Sequence, residues 1–192
     1  VVFIDTENGN SISGDIQLVG GNGDSNSQMG LAFNATDTLL YVGCGTNIHV
    51  IDVSNGLQSK VINNSDDASS YNASVLAYSP EGKLAVSQGN DFRIWDVSGD
   101  DLTSGELYAT YSTPVTALLF NKTGKRLLSG SNDGIVTLWN TQYTTPTQIN
   151  SFNHSDTRSV TGIDINTNED MLAVRYNTNG SGEIIIYAFI DY

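Results

Sequence analysis

Short apolar stretches alternate with polar, glycine-rich turns along the whole chain, and they recur at a nearly constant interval. Segments that close on an acidic or amide residue are VVFID at Asp5, IHVID at Asp52, FRIWD at Asp96 and VTLWN at Asn140. IIIYA reaches the equivalent place at Ala188, and the steps are 47, 44, 44 and 48 residues. A fixed interval of this kind indicates an internal repeat.

A second series of segments runs in phase with the first. It consists of GLAFNATD around Phe33, VLAYSPEG around Tyr78, ALLFNKTG around Phe120 and GIDINTNE around Ile165. A β-prone run follows each segment, and a further candidate strand precedes the next unit. The pattern therefore predicts an all-β chain with four short strands per unit, separated by Gly, Asn, Asp and Pro turns. Four strands in about 40 to 45 residues are typical of a β-propeller blade.

The best-formed units resemble the WD-repeat family. VTALLFNKTGKRLLSGSNDGIVTLWN, residues 115–140, is similar to a nearly complete WD repeat, and residues 75–98 carry the literal pair Trp95-Asp96. The two weaker units have Ile51-Asp52 and Tyr187-Ala188 where the dipeptide should be. The resemblance implies stacked blades of four antiparallel strands, as a partial or small propeller.

The resemblance also implies a hydrogen-bonded network around the tryptophan of the third strand. Its partners would be a Ser or Thr on the second strand, an Asp in the following turn and a His before the first strand. Trp139, Ser129 and Asp133 fit the third unit, whose entry has no histidine. His154 fits the fourth unit, whose turn lacks the aspartate. The expected structural positions are Trp95, Asp96, Ser129, Asp133, Trp139 and His154.

The repeat predicts a single domain over residues 1–192. We expect strands three and four of a leading blade over 1–28, full units over 29–66, 74–112 and 115–152, and a fourth unit over 160–192 that lacks its last strand. The chain has no initiator Met and begins and ends within a blade. Three arrangements remain open: a piece of a longer propeller, a small ring latched by its first segments, or an assembly of copies through strand edges.

The charge balance narrows the classes of partner. Eight Lys and Arg against 21 Asp and Glu give a net charge of −13, which repels phosphate backbones and excludes nonspecific nucleic-acid binding. Such a surface favours basic partners or divalent cations. No apolar run approaches the roughly 20 residues of a membrane helix, so no membrane insertion is expected. Cys44 is the only cysteine and is expected to be a small buried apolar residue.

The titratable residues do not form a recognisable catalytic or metal signature. We expect His49 to be a solvent-exposed strand residue, because it points away from its apolar neighbours. The loops with alternate oxygen ligands, at Asn22, Asp24 and Asn26 and at Asn177, Asn179 and Glu183, have too few carboxylates for calcium. We expect no cofactor, no metal and no catalytic residue. Solvated loop charges are expected at Asp66, Asp67, Asp100 and Asp101.

Six asparagines match the acceptor pattern Asn-X-Ser/Thr, each in a predicted turn or loop. They are Asn34, Asn63, Asn72, Asn121, Asn153 and Asn179. Chance matches are frequent in a chain this rich in Asn, Ser and Thr, so the pattern has two interpretations. A secreted origin would make these sites accessible acceptors. A cytoplasmic location is favoured, with an extracellular one as the alternative.

The function that the resemblance implies is a non-enzymatic scaffold for protein partners, which bind through loops at the blade mouths. The alternative is a secreted, N-glycosylated structural subunit of an extracellular oligomer or fibre, joined through incomplete edge blades. In a third interpretation the chain is half of a catalytic propeller, since fold alone does not decide function.

Overall fold

A computed structural model describes residues 7–8, 30–53, 58–63, 73–98, 105–110, 113–143, 145–154, 158–178 and 181–188. These residues form strands and turns, and none of them is helical. No helical span of a membrane is therefore present in the described part of the chain.

The strands form four antiparallel sheets in chain order. Sheet 1 contains β1 (Leu31–Phe33), β2 (Leu39–Cys44), β3 (Asn47–Asp52) and β4 (Gln58–Asn63). Sheet 2 contains β5 (Leu76–Ser79), β6 (Lys83–Gln88), β7 (Asp91–Asp96) and β8 (Gly105–Thr110). Sheet 3 contains β9 (Val115–Phe120), β10 (Arg126–Ser131), β11 (Ile135–Asn140) and β12 (Thr147–Asn153). Sheet 4 contains β13 (Ser159–Ile165), β14 (Met171–Thr178) and β15 (Ser181–Ala188).

Each strand pairs with its neighbour in the chain, so every sheet is an antiparallel meander. The third strands end at Asp52, Asp96, Asn140 and Ala188, which are the positions that defined the repeat. In the turns between second and third strands the chain needs a positive φ, and Gly134 supplies it at 84°. The predicted all-β fold of four-stranded antiparallel sheets is confirmed. The four sheets formed by the described residues do not close into a ring.

Three apolar clusters join the sheets face to face. Tyr41 and Ile48 of sheet 1 pack against Leu84 and Trp95 of sheet 2. Successive strand residues point to opposite faces, so the next residue, Ala85, turns to sheet 3 instead. The three clusters consist of residues 41, 48, 50, 73, 76, 84, 86, 95 and 97; residues 77, 85, 92, 94, 115, 118, 120, 127 and 139; and residues 117, 128, 136, 160, 172, 174 and 176.

A stacked pair of tyrosines marks the contact between sheets 1 and 2. The rings of Tyr41 and Tyr78 lie 5.9 Å apart with an interplanar angle of 16°. Burial, and secondarily the neighbouring Tyr78, raises the pKa of Tyr41 to about 12. The Tyr41 phenol therefore stays neutral at physiological pH and belongs to the core.

One prediction about sheet 1 is wrong. His49 is 2% exposed, whereas we expected a solvated side chain. The reason is that sheet 1 is covered on both faces: Val42 and Ile51, on the same face as His49, are fully buried. Cys44 is buried, as predicted. The predicted leading strands within residues 1–28 lie outside the described residues.

Candidate functional site

The tryptophan of sheet 3 is tied into the sheet rather than offered to a ligand. Trp139 Nε1–H donates to Oγ of Ser129 at 2.8 Å, and both residues are buried. The Trp139 ring meets Phe92 of sheet 2 edge-on, at 5.4 Å between centroids. The structure thus brings together two of the predicted network positions, and their arrangement favours packing over recognition.

The tryptophan of sheet 2 occupies the same place without the same bond. Trp95 pairs across the sheet with Leu84 as Trp139 does with Leu127. The residue two positions after Leu84 is Val86, where sheet 3 has Ser129. Trp95 Nε1–H consequently has no hydrogen-bond partner in the structure as described. Burial of the ring holds Trp95 in place.

Asp96, which follows Trp95 in the chain, stabilises the turn that begins at its own position. Its Oδ1 accepts from the Ser98 hydroxyl at 2.6 Å and from the Ser98 amide at 3.0 Å. These bonds, the hydroxyl one foremost, lower the pKa of the Asp96 carboxyl below its ordinary value. Asp96 is therefore an exposed carboxylate at the start of the connection to β8.

Asp133 stabilises the turn between β10 and β11. Its carboxylate accepts from the Ser131 hydroxyl, and its backbone amide donates to Oγ1 of Thr113 at 3.1 Å. Thr113 lies in the connection from sheet 2, where the resemblance places a histidine that this unit lacks. A threonine hydroxyl thus links the entry of sheet 3 to its Asp133 turn, which sequence reasoning did not identify.

His154 joins a different group of residues in sheet 4. Its Nε2 lies 4.0 Å from Oε2 of Glu183, which also forms an ion pair with Arg158. The His154 ring meets Tyr176 edge-on at 5.5 Å. Tyr176 in turn shares a 3.0 Å hydrogen bond with the hydroxyl of Tyr187, the residue at the tryptophan position. His154 therefore contacts a tyrosine pair and an ion pair, rather than a network of the kind that the resemblance implies.

The Tyr176 phenol is uncharged. Burial, followed by the hydrogen bond shared with Tyr187, raises the pKa of Tyr176 well above its ordinary value. The ring of Tyr187 also packs on Phe152 of sheet 3 at 4.9 Å. This group accordingly serves the contact between sheets 3 and 4.

Two of the asparagine acceptor patterns have a structural explanation. Asn34 Oδ1 accepts from the amides of Thr38 and Leu39 at 2.9 and 3.0 Å. Asn121 is buried, and its Oδ1 accepts from the amide of Arg126 at 3.0 Å. Asn166, which is not an acceptor pattern, holds its turn in the same way. All three asparagines lie in turns between first and second strands. In these turns the asparagine side-chain oxygen accepts hydrogen bonds from backbone amides, in place of a backbone carbonyl.

The remaining acceptor patterns are not gathered into one surface by the described residues. Asn153 is exposed on β12. Asn63 ends β4, and its side chain lies outside what the structure describes. Asn72 and Asn179 lie outside the described residues, as do Asn22, Asp24, Asn26, Asp66, Asp67, Asp100 and Asp101.

Turns on one edge of the stack are linked from sheet to sheet. We call this the first edge: residues 34–38, 80–83, 121–125 and 166–170, which connect first to second strands, together with residues 96 and 141, which lie beside them at the ends of third strands. Glu169 accepts from the Lys122 amide at 2.8 Å and from Asn121 Nδ2 at 3.1 Å, which joins sheets 4 and 3. Lys83 of sheet 2 donates to the carbonyl of Thr141 in sheet 3. These bonds hold neighbouring turns in fixed relative positions.

Charge is unevenly distributed along the first edge. Sheets 1 and 2 present the exposed carboxylates of Asp37, Glu81 and Asp96, which we call the acidic patch. Lys83 is the half-buried cation beside this patch, with Nζ 3.7 Å from Oε2 of Glu81. Among the described residues, no three His, Cys, Asp or Glu side chains are grouped so that they could hold a metal ion.

The comparisons with known proteins agree on the fold. Residues 105–140 match the family model WD40, described as WD domain, G-beta repeat. No curated protein matches the chain. The chain is similar to a chain in a solved structure titled "Crystal Structure of Mitotic Checkpoint Complex", with a TM-score of 0.62 and 16% identity. That match covers 76% of this chain but only 46% of the other. Likeness at this identity bears on the fold alone.

Proposed function

We propose that this chain is a WD-repeat protein, since residues 105–140 match that family model, and that it is a non-enzymatic scaffold to which other proteins bind. The observation that carries the proposal is how the repeat positions are used. Trp139, Ser129 and Trp95 are turned into the stack, so the residues that mark the repeat serve its rigidity. The exposed turns are therefore the part of the chain that binds the partner. Hydrogen bonds between neighbouring sheets fix their relative positions.

The setting of a similarly folded chain is the reason for proposing proteins as the class of ligand. The similar chain named above comes from a structure titled as a complex. A rigid stack with exposed polar turns suits such a role, because a preorganised surface loses little conformational entropy on binding.

We place the partner on the acidic patch of the first edge. Asp37, Glu81 and Asp96 are exposed there, and the whole chain carries a net charge of −13. Complementary charge speeds association and rejects partners of the wrong sign. The partner is therefore a protein segment rich in Lys and Arg.

The test uses defined peptides and a matched pair of variants. We would measure binding of the full chain to a Lys/Arg-rich peptide and to an acidic peptide of equal length, by biolayer interferometry, at about 50 and 300 mM salt. The patch variant is D37N/E81Q. The control is S151K/N153K, which changes the net charge by the same amount on the exposed strand β12.

We expect the basic peptide alone to bind, with affinity that falls as salt rises. The patch variant should weaken binding several-fold more than the control, since it removes local as well as overall charge. Equal binding of both peptides would contradict the proposal, and equal losses in the two variants would remove the patch as its location.

A further inference from the structure

A cavity opens between sheets 3 and 4 at the first edge. Its volume is about 310 Å³, with its open mouth included. The residues that line it are Asn121, Arg126, Leu128, Leu138, Ile165 and Glu169. The three apolar residues belong to the cluster that joins sheets 3 and 4, or pack against it, and they form the floor. The three polar residues form the rim, so the cavity combines an apolar contact with charged groups.

A glutamate in place of a glycine explains why the cavity lies between these two sheets. Gly124 and Glu169 are the fourth residues of equivalent turns, and both have a left-handed backbone, with φ of 71° and 60°. A Cβ at Gly124 would lie 2.2 Å from Oγ of Ser79, so the turns of sheets 2 and 3 leave no room for a side chain. Glu169 has its side chain at this point, and the turns of sheets 3 and 4 therefore leave space for it.

The glutamate is already bonded to the turn of sheet 3. Its two carboxylate oxygens accept from the Lys122 amide at 2.8 Å and from Asn121 Nδ2 at 3.1 Å. Nζ of Lys122 in turn donates to the carbonyl of Thr167 at 3.1 Å. These three bonds fix one side of the rim. They also pair the Glu169 carboxylate with donors of this chain, so it is not the group that recognises a ligand.

Arg126 is the charged group of the rim that has no partner of its own. It is exposed, and its guanidinium forms no ion pair or hydrogen bond with the residues that the structure describes. The equivalent residue of sheet 2, Lys83, instead donates to the carbonyl of Thr141 in sheet 3. Three of the eight Lys and Arg residues lie within residues 122–126, so positive charge is concentrated here although the net charge is −13. The rim beside Arg126 therefore suits an anionic group.

The apolar and cationic contacts are separated by a fixed distance. Arg126 and Leu128 are two residues apart on β10 and point to the same face of the sheet, about 6.6 Å apart along the strand. Leu138 lies opposite Leu128 on β11. An extended peptide places the side chains of residues i and i+2 on one side at the same spacing. Its apolar side chain can contact the floor while a carboxylate two residues away forms two parallel hydrogen bonds with the Arg126 guanidinium.

We propose that this cavity binds an extended segment of a partner protein in which a leucine-sized apolar side chain and a glutamate are two residues apart. The apolar side chain contacts Leu138 and Ile165, and the carboxylate pairs with Arg126. A segment with acidic residues alone does not bind, because it lacks the apolar contact and the net charge of −13 repels it. This site is separate from the acidic patch on sheets 1 and 2, which suits a segment of the opposite charge.

The test is a titration of the full chain with short peptides, followed by amide and methyl resonances in NMR. The peptide is a Ser/Gly sequence with a single Leu-Ser-Glu, acetylated and amidated at its ends so that the glutamate is its only charge. One apolar side chain and one ion pair correspond to a Kd of the order of 1 mM, so the peptide is added up to about 5 mM. We expect saturable shifts at Leu138 and Ile165, and weaker binding at about 0.5 M than at about 0.05 M salt.

Matched changes in the peptide and in the chain separate the two contacts. Replacing the leucine of the peptide by serine, or its glutamate by glutamine, should weaken binding about fivefold or more. In the chain, Arg126→Gln should weaken binding by a similar factor. Arg175→Gln is the control, because Arg175 is also an exposed arginine, so the net charge changes equally, but it does not line the cavity. Circular dichroism melts check that both variants remain folded.

Three results would overturn the proposal: no saturable shifts at the residues of the cavity, equal binding of the peptide without leucine, or equal losses in R126Q and R175Q. Equal binding of a peptide with Leu-Ser-Lys would also overturn it, because the anionic group would then be irrelevant. None of these measurements involves Asp37, Glu81 or Asp96, so failure here and failure of the acidic patch are distinguishable.

Discussion

Sheets 2 and 3 carry a tryptophan at the same place and hold it by different means. Trp139 donates a hydrogen bond to Ser129, whereas Trp95 faces Val86 and has no acceptor among the described residues. Both rings are nonetheless buried, at 8% and 4% exposure. Packing therefore fixes the position of the ring, and the hydrogen bond adds to a geometry that burial already determines.

The other two sheets extend this comparison. Val42 and Val174 stand at the Ser129 position of sheets 1 and 4, so sheet 3 alone has a hydroxyl there. The family model matches residues 105–140, which contain β8 of sheet 2 and the first three strands of sheet 3. Sheet 3 has the sequence most similar to the family. It is also the sheet in which the described residues show a hydrogen bond from the tryptophan to a serine.

The largest effect should come from the close approach beside that unit. Gly130→Val would force side-chain atoms into Val160 and Ile163 of sheet 4, which lie 2.4 and 3.1 Å from a Cβ at this position. Overpacking of this kind costs about 3 kcal/mol. Urea unfolding measures it. Gly182→Val is the control, because the nearest atom to a Cβ there is 3.9 Å away. A similar loss in both variants would mean that Gly130 is not at a close interface.

Exchanging Ser129 and Val86, the residues that face the two tryptophans, tests the comparison directly. Ser129→Val leaves the Trp139 donor buried without its serine acceptor, which costs about 1 to 3 kcal/mol. In sheet 2, Val86→Ser offers Trp95 a new acceptor worth about 1 kcal/mol but loses apolar burial of similar size, so its net effect should be small.

Unfolding midpoints and the indole N–H resonances in NMR measure the exchange. The Trp139 resonance should move on Ser129→Val, and the Trp95 resonance on Val86→Ser. Equal destabilisation by the two substitutions would show that the hydrogen bond contributes nothing measurable to sheet 3.

The turns between first and second strands show a smaller difference between the same two sheets. Asn121 bonds the Arg126 amide, Thr123 and Glu169, whereas the equivalent Ser79 bonds only the Glu81 amide, at 3.2 Å, through its side chain. Asn121→Ala should cost about 1 to 2 kcal/mol. Ser79→Ala, measured under the same conditions, should cost about half as much. A larger loss at Ser79 would reverse this order.

The sequence allowed the sheets to be predicted because the repeat has two independent markers. Strand ends such as Asp96 and Asn140 recur in phase with the aromatic series at Tyr78 and Phe120, and the observed strands follow both. Alternation along one strand also indicates which residues point the same way. The predicted pair Trp139 and Ser129 follows from that rule.

Other features depend on what lies opposite a residue, which one strand cannot reveal. His49 alternates like an exposed residue, yet it is buried because both faces of sheet 1 are covered. The link from Glu169 to Lys122 spans 47 positions of the chain and exists only because two turns meet at the first edge. The equivalence of Arg175 and Gly130 likewise follows only from the register of the two sheets.

The smallest effect concerns the residues that follow the two tryptophans. Asp96 Oδ1 accepts from the Ser98 amide, and Asn140 Oδ1 accepts from the Gln142 amide, each at 3.0 Å. An amide oxygen therefore suffices for the turn, and Asp96→Asn should change stability at neutral pH by no more than about 0.5 kcal/mol. Its effect lies in the pH dependence.

The Ser98 hydroxyl holds the pKa of the Asp96 carboxyl below its ordinary value, so the folded chain binds this proton less readily than the unfolded chain does. The resulting stabilisation is present above the ordinary pKa of about 4 and is lost as the pH falls through the folded value. Unfolding curves from pH 6 to about pH 3 should therefore fall less steeply for Asp96→Asn than for the wild type. Ser98→Ala should raise the pKa of Asp96, as read from its carboxyl carbon in NMR. An unchanged pKa would show that the hydroxyl bond does not control this carboxylate.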